Sequence, residues 1–224
     1  PGILVETIAI FINNLAAPAN TKVFSLTHRL HLTQPQAYIF DPELPYWIIY
    51  RNQLFDSVCR KLDFDVFEVF RDRQLTNKLL SSSGELRVLK SRNLSDDGKE
   101  ILDIPGYISY AAAKPLSVFQ YLDAPNVYLT PNMTYKPRMM KKPPHCVVNG
   151  SLAILIPKGG IVPTEKQLAY FSSEEYRAFY KIARNFQTRS LNVDACSVFF
   201  YGLLRDEAKP APEKFDTSVQ LSFL

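Results

Sequence analysis

Apolar and polar positions change their period several times along the chain, and each change predicts an element. Residues 3–12 form an Ile-rich run of the kind a buried strand carries. Asn13-Asn14 and Pro18-Ala19-Asn20 break it as a turn. Between Thr21 and Leu32, the apolar Val23, Phe24, Leu26, Leu30 and Leu32 mix with polar residues, which predicts a second strand. Asp41-Pro42-Glu43-Leu44-Pro45 reads as a helix start, with acids near the positive end of the dipole. From Tyr46 onward, Trp47, Ile48, Leu54, Phe55, Val58 and Leu62 fit a helical stripe. Residues 1–62 thus read as a separate leading segment.

Beyond Phe64 the period shortens to strands separated by turns. Residues 66–70 are rich in Val and Phe around Glu68, and residues 86–89 form a similar short run. Asp96-Asp97-Gly98 predicts a hairpin between residues 87–94 and 101–104. Residues 126–130 and 152–156 are the most strand-like runs in the chain. Ser172 or Ser173 is placed to cap a helix with Glu174 and Glu175 in its first turn, a start resembling a capping box. Tyr176, Phe179, Tyr180, Ala183 and Phe186 then recur at helical spacing. Residues 194–204 return to strand, and residues 206–224, with Pro210 and Pro212, read as a tail or linker. The fold class expected is α+β: short twisted strands with a few flanking helices.

Composition narrows this picture. Of 224 residues 46% are apolar and 21% charged, enough to bury a core. Cys59, Cys146 and Cys196 are too scattered for a disulfide scaffold or a CxxC knuckle, which predicts a reduced, cytoplasmic setting. No uninterrupted apolar run approaches the roughly 18 residues of a membrane span. The opening Pro1-Gly2-Ile3-Leu4-Val5-Glu6 lacks the basic region and cleavage site of a secretory signal. It reads as a piece of a longer protein, although an initiator Met removed before Pro would look the same.

A net charge of +4 hides a local asymmetry. No acid lies between Asp123 and Glu165, while Lys136, Arg138, Lys141, Lys142 and Lys158 contribute five positive charges, with Tyr135, Met139, Met140 and His145 among them. Cations interleaved with aromatic and flexible apolar side chains suit a polyanion. A solvated loop balanced by acids elsewhere is the other reading. A second cluster comprises Arg71, Arg73, Lys78, Arg87, Lys90 and Arg92. A third, Arg177, Lys181 and Arg184, sits at i, i+4 and i+7 on the late helix, with Arg189 beyond. For that one an ordinary wet helix face also serves. Phosphate contacts would explain all three together.

Catalytic constellations are missing from the sequence. His28 and His31 are three apart in a strand region and point to opposite faces, a poor metal pair. His145-Cys146 are adjacent and diverge, with no third member. There is no GxGxxG, GxxxxGK or GxSxG. Asp206-Glu207-Ala208-Lys209 has ExK spacing, with Asp194 upstream, but sits in a Pro-flanked tail, whereas metal sites need convergent carboxylates. Asp63 and Asp65 read as turn residues. A non-catalytic chain with no metal or cofactor of its own is expected.

Two segments carry a resemblance. One runs from Phe64-Asp65-Val66-Phe67-Glu68-Val69-Phe70-Arg71-Asp72-Arg73-Gln74-Leu75-Thr76-Asn77-Lys78 to Gly84-Glu85-Leu86-Arg87-Val88-Leu89-Lys90-Ser91-Arg92-Asn93-Leu94, followed by Asp97-Gly98. The other is Asn126-Val127-Tyr128-Leu129-Thr130-Pro131, Arg138 and Val147-Val148-Asn149-Gly150-Ser151-Leu152-Ala153-Ile154-Leu155-Ile156-Pro157. Together with the helix over residues 174–186, they resemble the target recognition domain of restriction–modification N6-adenine DNA methyltransferases and their type I specificity-subunit relatives. The likeness covers residues 64–204, about two thirds of the chain.

That resemblance implies a division of labour. A separate catalytic domain, on the same chain or a partner subunit, would bind S-adenosylmethionine and flip out the target adenine. Its Asn/Asp-Pro-Pro-Tyr/Phe motif is absent here; Lys142-Pro143-Pro144-His145 has the wrong flanks. Residues 1–62 would hold the end of that catalytic domain plus a linking helix, residues 63–205 the DNA-reading domain, and residues 206–224 a tail. Its partner would be double-stranded DNA, read in the major groove. Candidates for base or near-base contact are Arg71, Arg73, Gln74, Asn77, Lys78, Arg92, Asn93, Tyr135, Lys136 and Arg138. Lys141, Lys142, Lys158, Arg177, Lys181 and Arg184 would hold phosphates. The reading needs these cations to converge on one strip. Alternatives are a stand-alone nucleic-acid-binding or protein-interaction module and a nuclease.

Overall fold

A computed structural model describes residues 20–26, 28–188 and 191–206; the strand expected over residues 3–12 lies outside them. The elements in order are β1 (Asn20–Ser25), β2 (Leu30–Pro35), α1 (Gln36–Ile39), α2 (Gln53–Cys59), β3 (Leu62–Asp63), β4 (Phe67–Phe70), β5 (Leu86–Leu89), β6 (Tyr107–Ile108), α3 (Tyr110–Ala113), β7 (Tyr128–Pro131), β8 (Met140–Lys141), β9 (Cys146–Val148), β10 (Leu152–Pro157), α4 (Glu165–Tyr170), α5 (Glu174–Ala183) and β11 (Leu203–Leu204). The fold is mixed α+β.

Its centre is an antiparallel sheet of order β4-β10-β7-β8. Strand β10 is apolar at nearly every position because both of its faces are buried. Ala153 and Leu155 point into one core cluster, where α2 and α5 bring Phe55, Val58, Tyr176, Phe179 and Tyr180. Leu152 and Ile154 point into a second, built from Val88, Leu89, Val118, Val147 and Val148. Seven of the sixteen buried residues of that second cluster come from a smaller sheet, β6-β5-β9, in which β5 and β9 run parallel. The segment before residue 63 is not packed apart from the chain beyond it. Ile48, Tyr50, Phe55, Val58 and Leu62 belong to the first cluster, and Tyr46 donates its hydroxyl to the Ala183 carbonyl.

Several local expectations change. The single strand over residues 21–32 is a hairpin, β1 and β2, registered Ser25↔Leu30. The helical stripe from Tyr46 shortens to α2, because Asn52 accepts the Phe55 N–H and starts the helix there. The Asp97-Gly98 turn is present, and the segments flanking it are joined by the Leu94↔Ile101 bridge and the hydrogen bonds around it, but they do not extend into a strand ladder, since β5 pairs with β6 and β9 instead. Ser173 caps α5 through the Tyr176 N–H, while the reciprocal capping box sits at Thr164 and Gln167 of α4. Residues 194–204 form a 3₁₀ turn (Ser197–Phe200) and then the two residues of β11, not one strand.

Candidate nucleic-acid interface

The C-terminal ends of β4, β5, β7 and β9 and the start of β10 lie at one edge of the molecule, around the turn Asn149-Gly150-Ser151. This turn is a hub. Asn149 donates its N–H to the Leu89 carbonyl (3.1 Å), and Ser151 Oγ accepts the Ser91 N–H (2.9 Å). Asn132 donates its N–H to the Ser151 carbonyl (3.0 Å) and its side-chain amide to Gly150 (2.9 Å). Gly150 packs so closely on the end of β4 that an added Cβ would stand 2.8 Å from the Asp72 carbonyl oxygen. The basic loops that follow β4, β5 and β7 are therefore anchored to one three-residue turn. They carry Arg71 and Arg73, Arg92, and Tyr135 with Lys136. Arg73, Arg92, Tyr135 and Lys136 are exposed, and Arg71 is half-buried.

Carboxylates stand among these cations. Lys136 pairs with Asp96, and its ammonium is the main reason the Asp96 carboxyl titrates below the usual carboxylate range. Asp194 is lowered as well. Partial desolvation opposes this, but hydrogen bonds from the backbone and side chain of Ser197 and the charges of Arg184 and Arg71 outweigh it. Arg177 donates to Glu174 (2.7 Å) and to the Asp96 carbonyl (3.3 Å), and Ser172 donates to the Asp97 carbonyl (2.7 Å). The N-terminus of α5 is thereby fastened to the loop beyond Arg92.

No protein-family model and no curated protein matches the chain.

Four residues expected at the DNA surface are interior instead, with exposures of 1% for Asn93, 7% for Arg138, 3% for Lys142 and 4% for Arg184. Each is hydrogen-bonded to main chain, although the Nε atoms of Arg138 and Arg184 are buried without a partner. The Asn93 amide donates to the Leu102 and Ile104 carbonyls, and its oxygen accepts the Lys90 N–H. Arg138 spans two basic loops, donating to Lys136 (2.9 Å), Ser91 (3.0 Å) and Leu94 (3.1 Å) carbonyls. Lys142 caps the 3₁₀ turn Ser117–Tyr121 through the Leu122 carbonyl (2.7 Å) and also reaches Pro143. Burial pulls both Arg138 and Lys142 below their ordinary values. Arg184 lies just past the end of α5 and turns inward to the Leu191 and Asn192 carbonyls, which breaks the expected stripe with Arg177 and Lys181.

The remaining candidates do not share one strip. Strand β8 runs antiparallel to β7, so each residue beyond Arg138 retreats about 3.3 Å from the hub. Lys141 ends opposite Tyr128 at the far edge. Lys158, past the end of β10, is at that same far edge and pairs with Asp65 (2.6 Å). Lys181 is exposed on α5. Gln74 accepts the Ser117 N–H (2.7 Å), and Asn77 and Lys78 are exposed on the next 3₁₀ turn, Asn77–Leu79.

Sequence reading missed Asn132, Gly150, Ser151 and Asn192 as the residues that hold the loops together. Their only signal was the run of small and amide side chains at strand ends. For the nuclease alternative, Asp206 is exposed, while Glu207 and Lys209 lie outside the described residues. Among the described residues no three His, Cys, Asp or Glu side chains gather as a metal site, and no helix is long and apolar enough to cross a membrane.

Proposed function

We propose that this chain reads a sequence in double-stranded DNA through the hub edge, as the recognition part of an adenine-specific DNA methyltransferase system. Of the sixteen expected contacts only Arg71, Arg73, Arg92, Tyr135 and Lys136 gather at this edge, so the single strip expected for all of them is not present and the proposal is confined to these five. The observation that carries it is the fastening of three basic loops to one turn, because register on a duplex requires contacts fixed relative to one another. Arg73 and Arg92 have the length and fork geometry to read guanine edges, Tyr135 offers a stacking face, and Arg71 and Lys136 suit phosphates. Lys136 would exchange Asp96 for phosphate on binding. Arg138, inside the molecule, sets the spacing between the Arg92 and Lys136 loops. The resemblance of residues 64–204 to target recognition domains supports a partner catalytic domain that would hold S-adenosylmethionine, and leaves this chain without a bond-making step.

A salt-titrated selection from a random duplex library tests this. One enriched motif is expected. Arg73→Ala and Arg92→Ala should each weaken that motif by about 1–3 kcal/mol while sparing random duplex. Arg71→Ala should weaken all duplexes alike and flatten the slope of log K against log salt by about 0.9. Unselective binding, or selective binding indifferent to all three changes, would remove the hub edge from the reading.

A further inference from the structure

We propose that Met133 and Leu191 form an apolar wedge that enters a base step of the bound duplex. The inference deepens the DNA-reading proposal and rests on it.

Both side chains are 49% exposed, although each sits on backbone held from both sides. Met133 lies between Asn132, whose carbonyl accepts the Val193 N–H (3.2 Å), and Thr134, whose N–H donates to the Thr188 carbonyl (2.9 Å). The Asn132 side chain adds two bonds across the same gap, donating to Asn192 (2.7 Å) and accepting the Val193 N–H (2.9 Å). Leu191 donates its own N–H to the Gln187 carbonyl (3.1 Å), and its carbonyl takes the buried Arg184 guanidinium (2.9 Å). Two segments distant in sequence are thus laced side by side, and each offers an unbranched or γ-branched apolar tip.

Three of the exposed aromatic residues elsewhere lean on a ring of their own chain: Phe24 stacks on His31, Trp47 packs on Phe40, and Tyr110 meets Phe119 edge-on. Met133 and Leu191 instead border the hub loops, with Tyr135 (50% exposed) and Lys136 two and three residues beyond Met133. Through Asn132 and Gly150 the same segment connects to the end of β4, next to Arg71 and Arg73. Apolar tips on pinned backbone, in the segment that leads into Lys136 and is joined to the end of β4, suit a duplex: the neighbouring cations would meet phosphates while the tips pry adjacent base pairs apart. The protein surface of a partner subunit would call for apolar area in place of that basic frame.

Unstacking is cheapest at pyrimidine–purine steps, so the enriched motif should contain TA or CA/TG at the wedge position. Duplexes bearing 2-aminopurine at successive positions of that motif provide the readout, using the whole chain without any catalytic partner. Binding should raise the fluorescence at one step only. Met133→Ala with Leu191→Ala should abolish the rise and weaken binding roughly tenfold, leaving the salt slope unchanged. Met133→Leu should preserve the signal. Tight, selective binding with no fluorescence rise at any position overturns the wedge and leaves the DNA reading standing; absence of any duplex binding overturns both. If the double variant keeps the full rise, or loses only affinity for a methyltransferase subunit, the wedge is likewise rejected and the patch is a protein interface.

Discussion

At the scale of single residues, what decides function is whether a cation faces water or a carbonyl. Arg138 and Lys136 are two positions apart in one basic loop, yet one is buried against three carbonyls and the other is exposed beside Asp96. Composition marks both as polyanion contacts, and nothing local separates them. The difference arises from residues distant in sequence, Ser91 and Leu94, whose carbonyls beyond the end of β5 accept from the Arg138 guanidinium. The same holds for Lys142, claimed by the end of a 3₁₀ turn, and Asn93, claimed by the chain returning from its Asp-Gly turn. Arg138→Ala removes a charged donor from carbonyls in a dry site and should cost about 1–3 kcal/mol, with Arg138→Lys restoring little because one ammonium cannot span the fork. Lys141→Ala, at an exposed position of the far edge, should stay within about 0.5 kcal/mol. Urea unfolding of the three variants settles this. Equal losses at Arg138 and Lys141 would show that the brace carries no weight.

Elements were legible in proportion to how far their own residues decide them. Residues 152–157 are a strand because a continuous apolar run fits a sheet covered on both faces, residues 86–89 carry three aliphatic residues around Arg87, and α5 has its cap and apolar stripe written in sequence. Partner choice was not legible: β5 bypasses its nearest turn neighbour for β6 and β9, a preference set by burying Val88 and Leu89. The join of α5 to the chain after α2 is also non-local. Lys61 donates to Glu175 in the first turn of α5, and that bond is the largest cause of a Glu175 carboxyl below its ordinary value; desolvation opposes it, and the Tyr170 hydroxyl adds to it. A carboxyl depressed in the folded state stabilises fully above its unfolded value, about 4.3, and the contribution fades as pH falls through the folded value. The native chain should therefore lose urea resistance on acidification below about pH 4.3 more steeply than Glu175→Gln. Parallel acid limbs for the two proteins would mean that the pair contributes nothing to holding α5.

The whole molecule is governed by a central sheet with an apolar cluster on each face, and this bears on where the proposed DNA-reading unit would begin. The resemblance starts at residue 64, and the change from helical to strand period there suggests a boundary. Packing runs across it. Ile48, Tyr50, Phe55, Val58 and Leu62 share a cluster with Phe179, Tyr180 and Phe200, and Phe55 stacks on Phe179 at 5.1 Å between ring centroids. A boundary in sequence pattern records a change of local period, whereas a folding unit is set by which surfaces need each other to exclude water. The chain holds one tryptophan, Trp47, on the near side of that boundary, while most strands and α5 lie beyond it. Tryptophan fluorescence and far-ultraviolet dichroism should thus report the same urea midpoint for the intact chain. Phe55→Ala should lower both together by about 3–5 kcal/mol of stability. A chain beginning at residue 63 leaves the Phe179 face of α5 without its cover, and should show no cooperative transition and no motif-selective duplex binding. Midpoints that separate in the intact chain, or a truncated chain that unfolds sharply and still selects its motif, would place the recognition unit wholly beyond residue 62 and make the preceding segment an appendage.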